Sequence, residues 1–380
     1  MWLKLTEMMK HTYRWIRYAQ ERRKVKSNIG VGRVQDQNLL NSYSASSKKL
    51  IVFLVPGLDW PTGIEKISGG TMSIVSLCEE TGGMQQLHGS QTILCTLRGE
   101  SRLVKHTLFA NQTSVYRFEQ LSFYFKSLQQ VIIHVPEYLV SHFFKTLKPI
   151  DLKWLNQSGL VHINVLNQNI RLMPAPEILV CLRKIASTIT ITTAHQKYCT
   201  QAYRDYYGFP LHKFSVWISP ENYTNKTWAE KENLMVVSPD QHPMKAKIID
   251  QLLTIPNLTV QIIQNLTYEE YKALIARAKW SLTFGEGLDG YFIEPVFCGA
   301  IGFAVYNEDF FTNEFKAIKT VFLSFADLTA NINSMIKLLD NPSDFFAHQI
   351  LQFELLSRYY SKEVYRDNIR KFYEGDYTIS

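Results

Sequence analysis

Gly285-Glu286-Gly287-Leu288-Asp289-Gly290-Tyr291-Phe292-Ile293-Glu294-Pro295-Val296-Phe297-Cys298-Gly299-Ala300 follows a strand candidate at Trp280–Phe284. Three glycines stand at or near the strand-to-helix turn. They permit a tight turn and let a ligand approach backbone N–H groups closely. The start of the following helix offers unpaired N–H donors and a positive dipole end, which suit a phosphate. Two glutamates are separated by seven residues. A carboxylate one helical turn inside can accept hydrogen bonds from ribose hydroxyls, and one in the loop can do the same for a sugar. Together these features would hold a nucleotide sugar. The plainer alternative is a glycine-rich turn with a capping glutamate.

Outward from this stretch, short apolar runs alternate with helical patterns. Leu50-Ile51-Val52-Phe53-Leu54-Val55 ends at Pro56-Gly57, as a strand buried on both faces should. Thr92–Leu97, Val131–Val135, Leu160–Val165 and Thr188–Thr193 are further strand candidates. A second series comprises Leu234–Val237, Thr259–Ile263, Trp280–Phe284, Ile301–Val305 and Val321–Leu323. Thr267-Tyr268-Glu269-Glu270 is a capping-box pattern before a helix reaching Ala278, and Asn341-Pro342 ends one helix and starts another. Residues 345–373 read as helical and rich in aromatics for packing. This order predicts open parallel sheets with helices on both faces.

The length of 380 residues suits two domains. The expected division is 1–47, a basic amphipathic helix and linker; 48–220, an N-terminal Rossmann-like acceptor domain; 221–345, a C-terminal Rossmann-like nucleotide-sugar domain; and 346–380, helices packing back on the first. Two such halves place a cleft between them, and open parallel sheets bind ligands at the carboxyl ends of their strands.

The quoted stretch resembles the GT-B glycosyltransferases of the retaining glycosyltransferase 4-like group. Their E-x7-E signature usually reads E-G-F-G-L-P-x-x-E-A-x-A-C-G-x-P-V, and this chain has E-G-L-D-G-Y-F-I-E-P-V-F-C-G-A-I-G. Both glutamates, the first glycine and the Cys-Gly pair match in register. Gly290 is displaced by one, and Tyr291-Phe292 stands for Leu-Pro. The resemblance extends more weakly over residues 50–375. Ser68-Gly69-Gly70 looks like the family's N-terminal glycine loop, near donor phosphate and acceptor. Tyr207-Gly208-Phe209-Pro210-Leu211-His212-Lys213 resembles the segment that precedes a strand and leads into the interdomain crossover.

The resemblance implies two Rossmann-like domains facing a cleft, with C-terminal helices crossing back to the first. It places Glu294 at the ribose and Glu286 at the sugar hydroxyls. Gly287, Gly290, Tyr291 and Ser238 would lie along the donor, and Lys245 or Lys247 at the diphosphate. Gly69 and Gly70 would serve the acceptor side. His134, near the end of its strand, would face the reaction centre as a general base or a sugar-hydroxyl ligand. His195, Asn164 and Asn167 hold similar positions. The family commonly has Arg five residues before the lysine, where this chain has Asp240. That departure bears directly on the phosphate clamp.

Other classes lack their signatures. There is no G-x-x-x-x-G-K-[ST], no G-x-G-x-x-G after the first strand, no G-x-S-x-G and no D-x-D. No cofactor and no metal is therefore expected. Five scattered cysteines form no C-x-x-C pair, which argues against a zinc site or a disulfide scaffold and for a reducing compartment. The net charge of +7 is concentrated in residues 1–26, which hold eight Lys or Arg against two Glu, so no nucleic-acid partner is expected. Trp2, Leu5, Met9, Tyr13 and Ile16 recur at helical spacing there. Such a helix suits an anionic membrane surface or the protein's own core. With no apolar run long enough to span a bilayer and no signal-peptide pattern, the expected place is the cytoplasm, with peripheral contact at the inner face of the membrane as one reading.

The expected activity is transfer of a sugar from a nucleoside-diphosphate donor to a glycan or lipid-linked acceptor, with retention, as in surface polysaccharide synthesis. The alternatives are a nucleotide-sugar epimerase on the same fold and a non-catalytic glycosyltransferase-like partner subunit.

Overall fold

The computed structural model describes residues 40–43, 47–58, 65, 68–99, 109, 111 and 113–380. The basic helix expected in 1–26 and most of the linker after it lie outside these residues. The chain is α/β, with two parallel sheets among the described residues. Its two compact units are the residues up to Leu166 with Leu172–Thr190, and Asn167–Arg171 with Ile191–Ser380.

The first sheet is built from β1 (Lys49–Val55), β2 (Gln91–Thr96), β3 (Val115–Arg117), β4 (Gln130–Pro136), β5 (Leu160–Asn167), β6 (Thr188–Thr193) and β7 (Leu211–Lys213). Its order is β3-β2-β1-β4-β5-β6-β7. The chain runs outward one way from β1 and then the other way from β4. The point of reversal between β1 and β4 is where a doubly wound sheet opens a crevice at its carboxyl edge. Every β1 residue after Lys49 is buried, as expected of a strand covered on both faces. The helix Gly69–Gly83 packs on β1 and β2 and buries Ile74, Val75, Leu77 and Cys78.

The second sheet has β8 (Glu232–Val237), β9 (Thr259–Ile262), β10 (Ala278–Leu282), β11 (Ile301–Val305) and β12 (Val321–Phe322), in the order β12-β11-β10-β8-β9. Side chains alternate between its faces. Met235 and Val237 of β8 join a core with Trp280, Leu282, Phe303 and the helix Phe325–Leu339. Leu234 and Val236 point the other way, onto the helix Tyr268–Arg277 through Leu274 and Ile275. The reversal of strand order falls between β8 and β10.

Two strands escape the sequence pattern. β3 and β7 are three residues each, too short to show periodicity. The strand expected after Lys213 is instead Leu211–Lys213 itself, paired with Ile191–Thr193 of β6. β10 stops at Leu282 rather than Phe284, because the Phe284 N–H donates to Ser238 Oγ (2.9 Å) instead of continuing the ladder. The capping box at Thr267 forms, with Thr267 N–H and Oγ1–H both donating to Glu270 at 2.8 Å. Asn341 caps the helix Pro342–Ser357, and a new helix begins at Lys362. That last helix and the chain end pack on β7: Leu211 and Ile379 exchange backbone hydrogen bonds, and His212 Nε2 lies 2.8 Å from the Asn368 carbonyl. Among the described residues no helix is long and apolar enough to cross a membrane. All five cysteines are free thiols.

Candidate functional site

The loops that leave β8 and β10 meet at the strand-order reversal of the second sheet. Ser238, the first residue after β8, joins them: its N–H donates to Leu282 O, and its Oγ accepts from Phe284 N–H. Ser238 is fully buried and acts here as a strut. The loop after β10 is braced from inside. Thr283 Oγ1 donates to Asp289 Oδ2 at 2.7 Å and accepts from Gly285 N–H at 3.3 Å. Gly287 has φ +87°, and a Cβ there would meet Phe311 at 2.5 Å and the Val305 carbonyl at 2.8 Å. No other residue fits that turn without strain.

Glu286 sits on this loop, half-buried. The Asn169 amide donates to its Oε1 at 2.6 Å. Asn169 cannot turn its oxygen to the glutamate, because Arg171 N–H holds that oxygen at 3.0 Å. Arg171 in turn donates to Asp309 from Nε (2.8 Å), with its guanidinium over the Phe310 ring at 5.7 Å. Arg171, Thr283, Gly285, Gly287, Asn307 and Phe325 line a groove of about 310 Å³ at this edge of the sheet. Asn169 was invisible in the sequence. It lies 117 residues from Glu286, on a segment with no motif of its own.

Glu294 lies one turn inside the helix Gly290–Phe297 and is buried. Its Oε1 folds back over Gly290, where a Cβ would be 2.6 Å away, so the second glycine position makes room for the carboxyl group. Tyr268 OH donates to Oε2 at 3.2 Å, and Tyr223 OH lies 3.2 Å from Tyr268 OH. Burial pushes the Glu294 carboxyl up to about 8, against the hydrogen bonds of Tyr223 and Tyr268, which favour the anion. Tyr291, at the second helical position, packs edge-on against Tyr271 (5.9 Å) and is pushed up to about 12 by burial and then by Asp240 and Asp289.

The helix start differs from the sequence expectation in one respect. Asp289 is its N-cap: Oδ1 accepts from Phe292 N–H at 3.2 Å, and Tyr291 N–H also bonds this carboxyl group. Amides expected to face a phosphate are thus already served by a side chain. Burial, opposed by Thr283, raises Asp289 to about 6. An Asp directly before a helical run is the ordinary N-cap signal, and it was legible in the sequence.

Of the two expected cations, Lys245 is already engaged, beside Asp240 and 5.7 Å from the Phe284 ring. Lys245 is buried, and its Nζ donates to Ser238 O (2.6 Å) and Asp240 O (2.8 Å). It braces the loop after β8, and desolvation lowers its pKa. Lys247 is exposed two residues further along the same helix. Asp240 stands where an Arg was expected. Its Oδ2 would be 2.8 Å, and the Asp289 Oδ2 3.1 Å, from a Cβ at Gly285. Four carboxyl groups, Asp240, Glu286, Asp289 and Glu294, therefore share this region.

In the first unit the expected residues sit at the other reversal point. Gly69 and Gly70 are the first two residues of their helix, after Ser68, whose Oγ accepts from Thr71 N–H. A Cβ at Gly69 would meet no atom within 4 Å. His134 is fully buried on β4, stacked on Phe53 at 4.3 Å. Asn164 is bonded at both ends of its amide, to His134 and Thr190, so it is built into the sheet. Asn167, the last residue of β5 and already part of the second unit, is buried. In the second unit, His195 packs edge-on against Phe310, and burial lowers it to about 4 while the Gln168 backbone holds its ring.

No protein-family model matches the chain, and no curated protein matches it. Solved structures do. An α-glucosyltransferase in complex with UDP-glucose and DNA containing an abasic site has a TM-score of 0.51 at 11% identity, covering 86% of this chain and 99% of that one. The HepE protein of Anabaena, in complex with UDP and glucose, has a TM-score of 0.52 at 9% identity, covering 86% and 100%. A glycosyltransferase from Rickettsia africae gives 0.50 at 10% identity, covering 86% and 98%. These likenesses establish the fold as GT-B over most of the chain.

Proposed function

We propose that the chain is a glycosyltransferase that moves a sugar from a nucleoside diphosphate to a glycan or lipid-linked acceptor. The observation that carries this is the placement of the E-x7-E pair. Glu286 and Glu294 lie at the carboxyl end of a parallel sheet, at its point of reversal, on a loop and helix whose glycines are demanded by geometry. The GT-B fold and neighbours whose structures hold UDP or UDP-glucose support it.

In this reading Glu294 meets the ribose. A carboxyl group close to neutrality can both donate to and accept from a vicinal diol. Glu286, oriented by Asn169, accepts from sugar hydroxyls. The loop at Gly287 and Gly290 and the side chain of Tyr291 lie along the diphosphate without a resident metal, and Lys247, exposed two residues past the engaged Lys245, supplies the cation. The acceptor sits on the first unit, near Gly69 and Gly70 and the strand end that carries the buried His134. The anomeric C–O bond to phosphate breaks, the acceptor oxygen takes its place on the retained face, and the acceptor's proton leaves on the departing phosphate. Residues 1–26 attach the enzyme to anionic membrane, and flotation with vesicles checks this part alone.

One observation favours a second reading. Asp240 replaces the expected Arg, Lys245 is spent on two carbonyls, and Asp289 occupies the helix start. A glycosyltransferase-like partner subunit that binds no donor would tolerate these changes. Calorimetry with UDP, GDP, ADP and CDP, followed by turnover of the matching nucleotide sugars, separates the two. The enzyme reading expects one diphosphate to bind, and Glu286→Ala and Glu294→Ala each to lower turnover tenfold or more in a folded chain. Failure of all four to bind would leave the partner-subunit reading.

A further inference from the structure

The groove beside Glu286 has no occupant in the reading above. Gly285 and Gly287, on either side of Glu286, line it, together with Arg171, Asn307 and Glu308. All of these residues belong to the second unit. Its volume of about 310 Å³ falls at the small end of ligand pockets, which run from about 300 to 1,000 Å³. Charge narrows the occupant. Arg171 is a cation at the groove, but its Nε and Nη2 both reach Asp309 Oδ2, at 2.8 and 2.5 Å. Glu308 is exposed and makes no ion pair among the described residues. Two carboxylates against one guanidinium leave the groove net negative, which disfavours a phosphate and suits an uncharged polar group. Tyr306 and Phe325 add aromatic surface. A pyranose ring, with C–H faces and hydroxyl edges, matches this mixture.

One side chain at the groove is oriented in advance. Asp309 N–H donates to Asn307 Oδ1 at 3.1 Å, and Arg171 Nη2 donates to the same oxygen at 3.5 Å. Both partners are donors only, so the amide oxygen must be the atom that faces them. The backbone of the turn is held as well. The Asn307 carbonyl accepts from Phe310 and Phe311 N–H at 3.0 and 2.9 Å, and Tyr198 OH donates to the Asp309 carbonyl. Asn307 Nδ2 is the part left over. It makes no hydrogen bond among the described residues and is open to solvent. An amide held at its oxygen and bare at its nitrogen is a preset donor.

We propose that this groove is the subsite for the transferred sugar, and that Asn307 is its specificity-determining residue, donating from Nδ2–H to a sugar oxygen while Glu286 accepts from a hydroxyl. The inference rests on the glycosyltransferase reading and adds to it the place and polarity of sugar recognition. Arg171 and Asp309 are positioning residues, since they act through the Asn307 oxygen. The subsite takes an uncharged sugar with an oxygen facing Asn307. It discriminates against a uronic acid, whose carboxylate would meet Glu308. It also discriminates against a deoxy sugar lacking that oxygen, which would leave the N–H without a partner.

Asn307→Asp separates this role from a merely structural one. The aspartate still accepts from Asp309 N–H and keeps the turn, but it has no N–H to give. Asn307→Ser keeps an acceptor there without adding a charge. Calorimetry on the full chain compares UDP-glucose, GDP-mannose and ADP-glucose, each with its own diphosphate. In both variants the dissociation constant of the nucleotide sugar, relative to that of its diphosphate, should rise about fivefold or more. The diphosphate is the control for charge and folding. Selective ¹⁵N-asparagine labelling gives a second readout. The Asn307 NH₂ signal, assigned by its loss in Asn307→Ser, should move with nucleotide sugar and stay in place with diphosphate. Three results overturn the proposal and leave the enzyme reading standing: a nucleotide sugar that binds without moving that signal, a signal that moves equally with diphosphate alone, or variants that weaken sugar and diphosphate to the same extent. If none of these ligands binds wild type, the enzyme reading fails and takes this inference with it.

Discussion

Glu294→Gln should make the protein more stable at mildly alkaline pH. In the unfolded chain this carboxyl group ionises near 4.5, and in the fold it keeps its proton to about 8. Between those values the folded state binds more protons than the unfolded one, so stability falls as pH rises. The slope for one group is about 1.4 kcal/mol per pH unit. The window from pH 6.5 to 8 isolates it. Asp289 acts in the same sense but is finished by about 6. The histidines lowered to about 4, His162, His195 and His348, act in the opposite sense and only below their ordinary value of 6.5. Lys231, lowered to about 8, begins to act only above it. Wild type should thus lose roughly 2 kcal/mol between pH 6.5 and 8. Gln at 294 cannot ionise and still accepts from Tyr268, so the variant should be flat there. Urea unfolding followed by tryptophan fluorescence at four pH values measures both. A flat wild-type profile, or an equal slope in the variant, would refute the reasoning.

Three other outcomes follow from the same loop. Gly287→Ala should destabilise the protein by about 2–4 kcal/mol in urea unfolding, since it adds a left-handed strain to contacts with Phe311 and Val305; a loss under 0.5 kcal/mol would show that the turn relaxes freely. Asp240→Asn removes a negative charge beside the proposed diphosphate and should tighten UDP binding about threefold to tenfold by calorimetry at low salt; unchanged affinity would move the phosphate away from Asp240. Asn169→Ala should lower turnover of a nucleotide sugar in the wild-type background and have no further effect in Glu286→Gln, because it acts through that carboxylate; additive losses would separate the two residues.

The fold was largely legible because buried parallel strands are short, apolar and bounded by turn residues. β6 and β11 match their expected limits residue for residue. β3 and β7 were not legible as strands, since three edge residues carry no period. For the site, the glycine at 287 was readable because a left-handed turn pressed against Phe311 and Val305 requires that residue type. What the sequence could not show is which charges are already spent. Lys245 looked like a free cation, yet seven residues of chain fold back to give its ammonium two carbonyls. Asn169 reaches Glu286 only through tertiary structure. His134 was legible as a strand-end residue, but its neighbours Asn164 and Phe53 come from other strands.

Titration of UDP, GDP, ADP and CDP, with their 2′,3′-dideoxy forms, into wild type and Glu294→Ala tests most directly whether the second unit holds a nucleotide by its ribose. The account predicts that one diphosphate binds wild type, that its dideoxy form binds at least tenfold more weakly, and that Glu294→Ala abolishes this preference. Equal affinity for the two forms in wild type, or a preference that survives in Glu294→Ala, would contradict it.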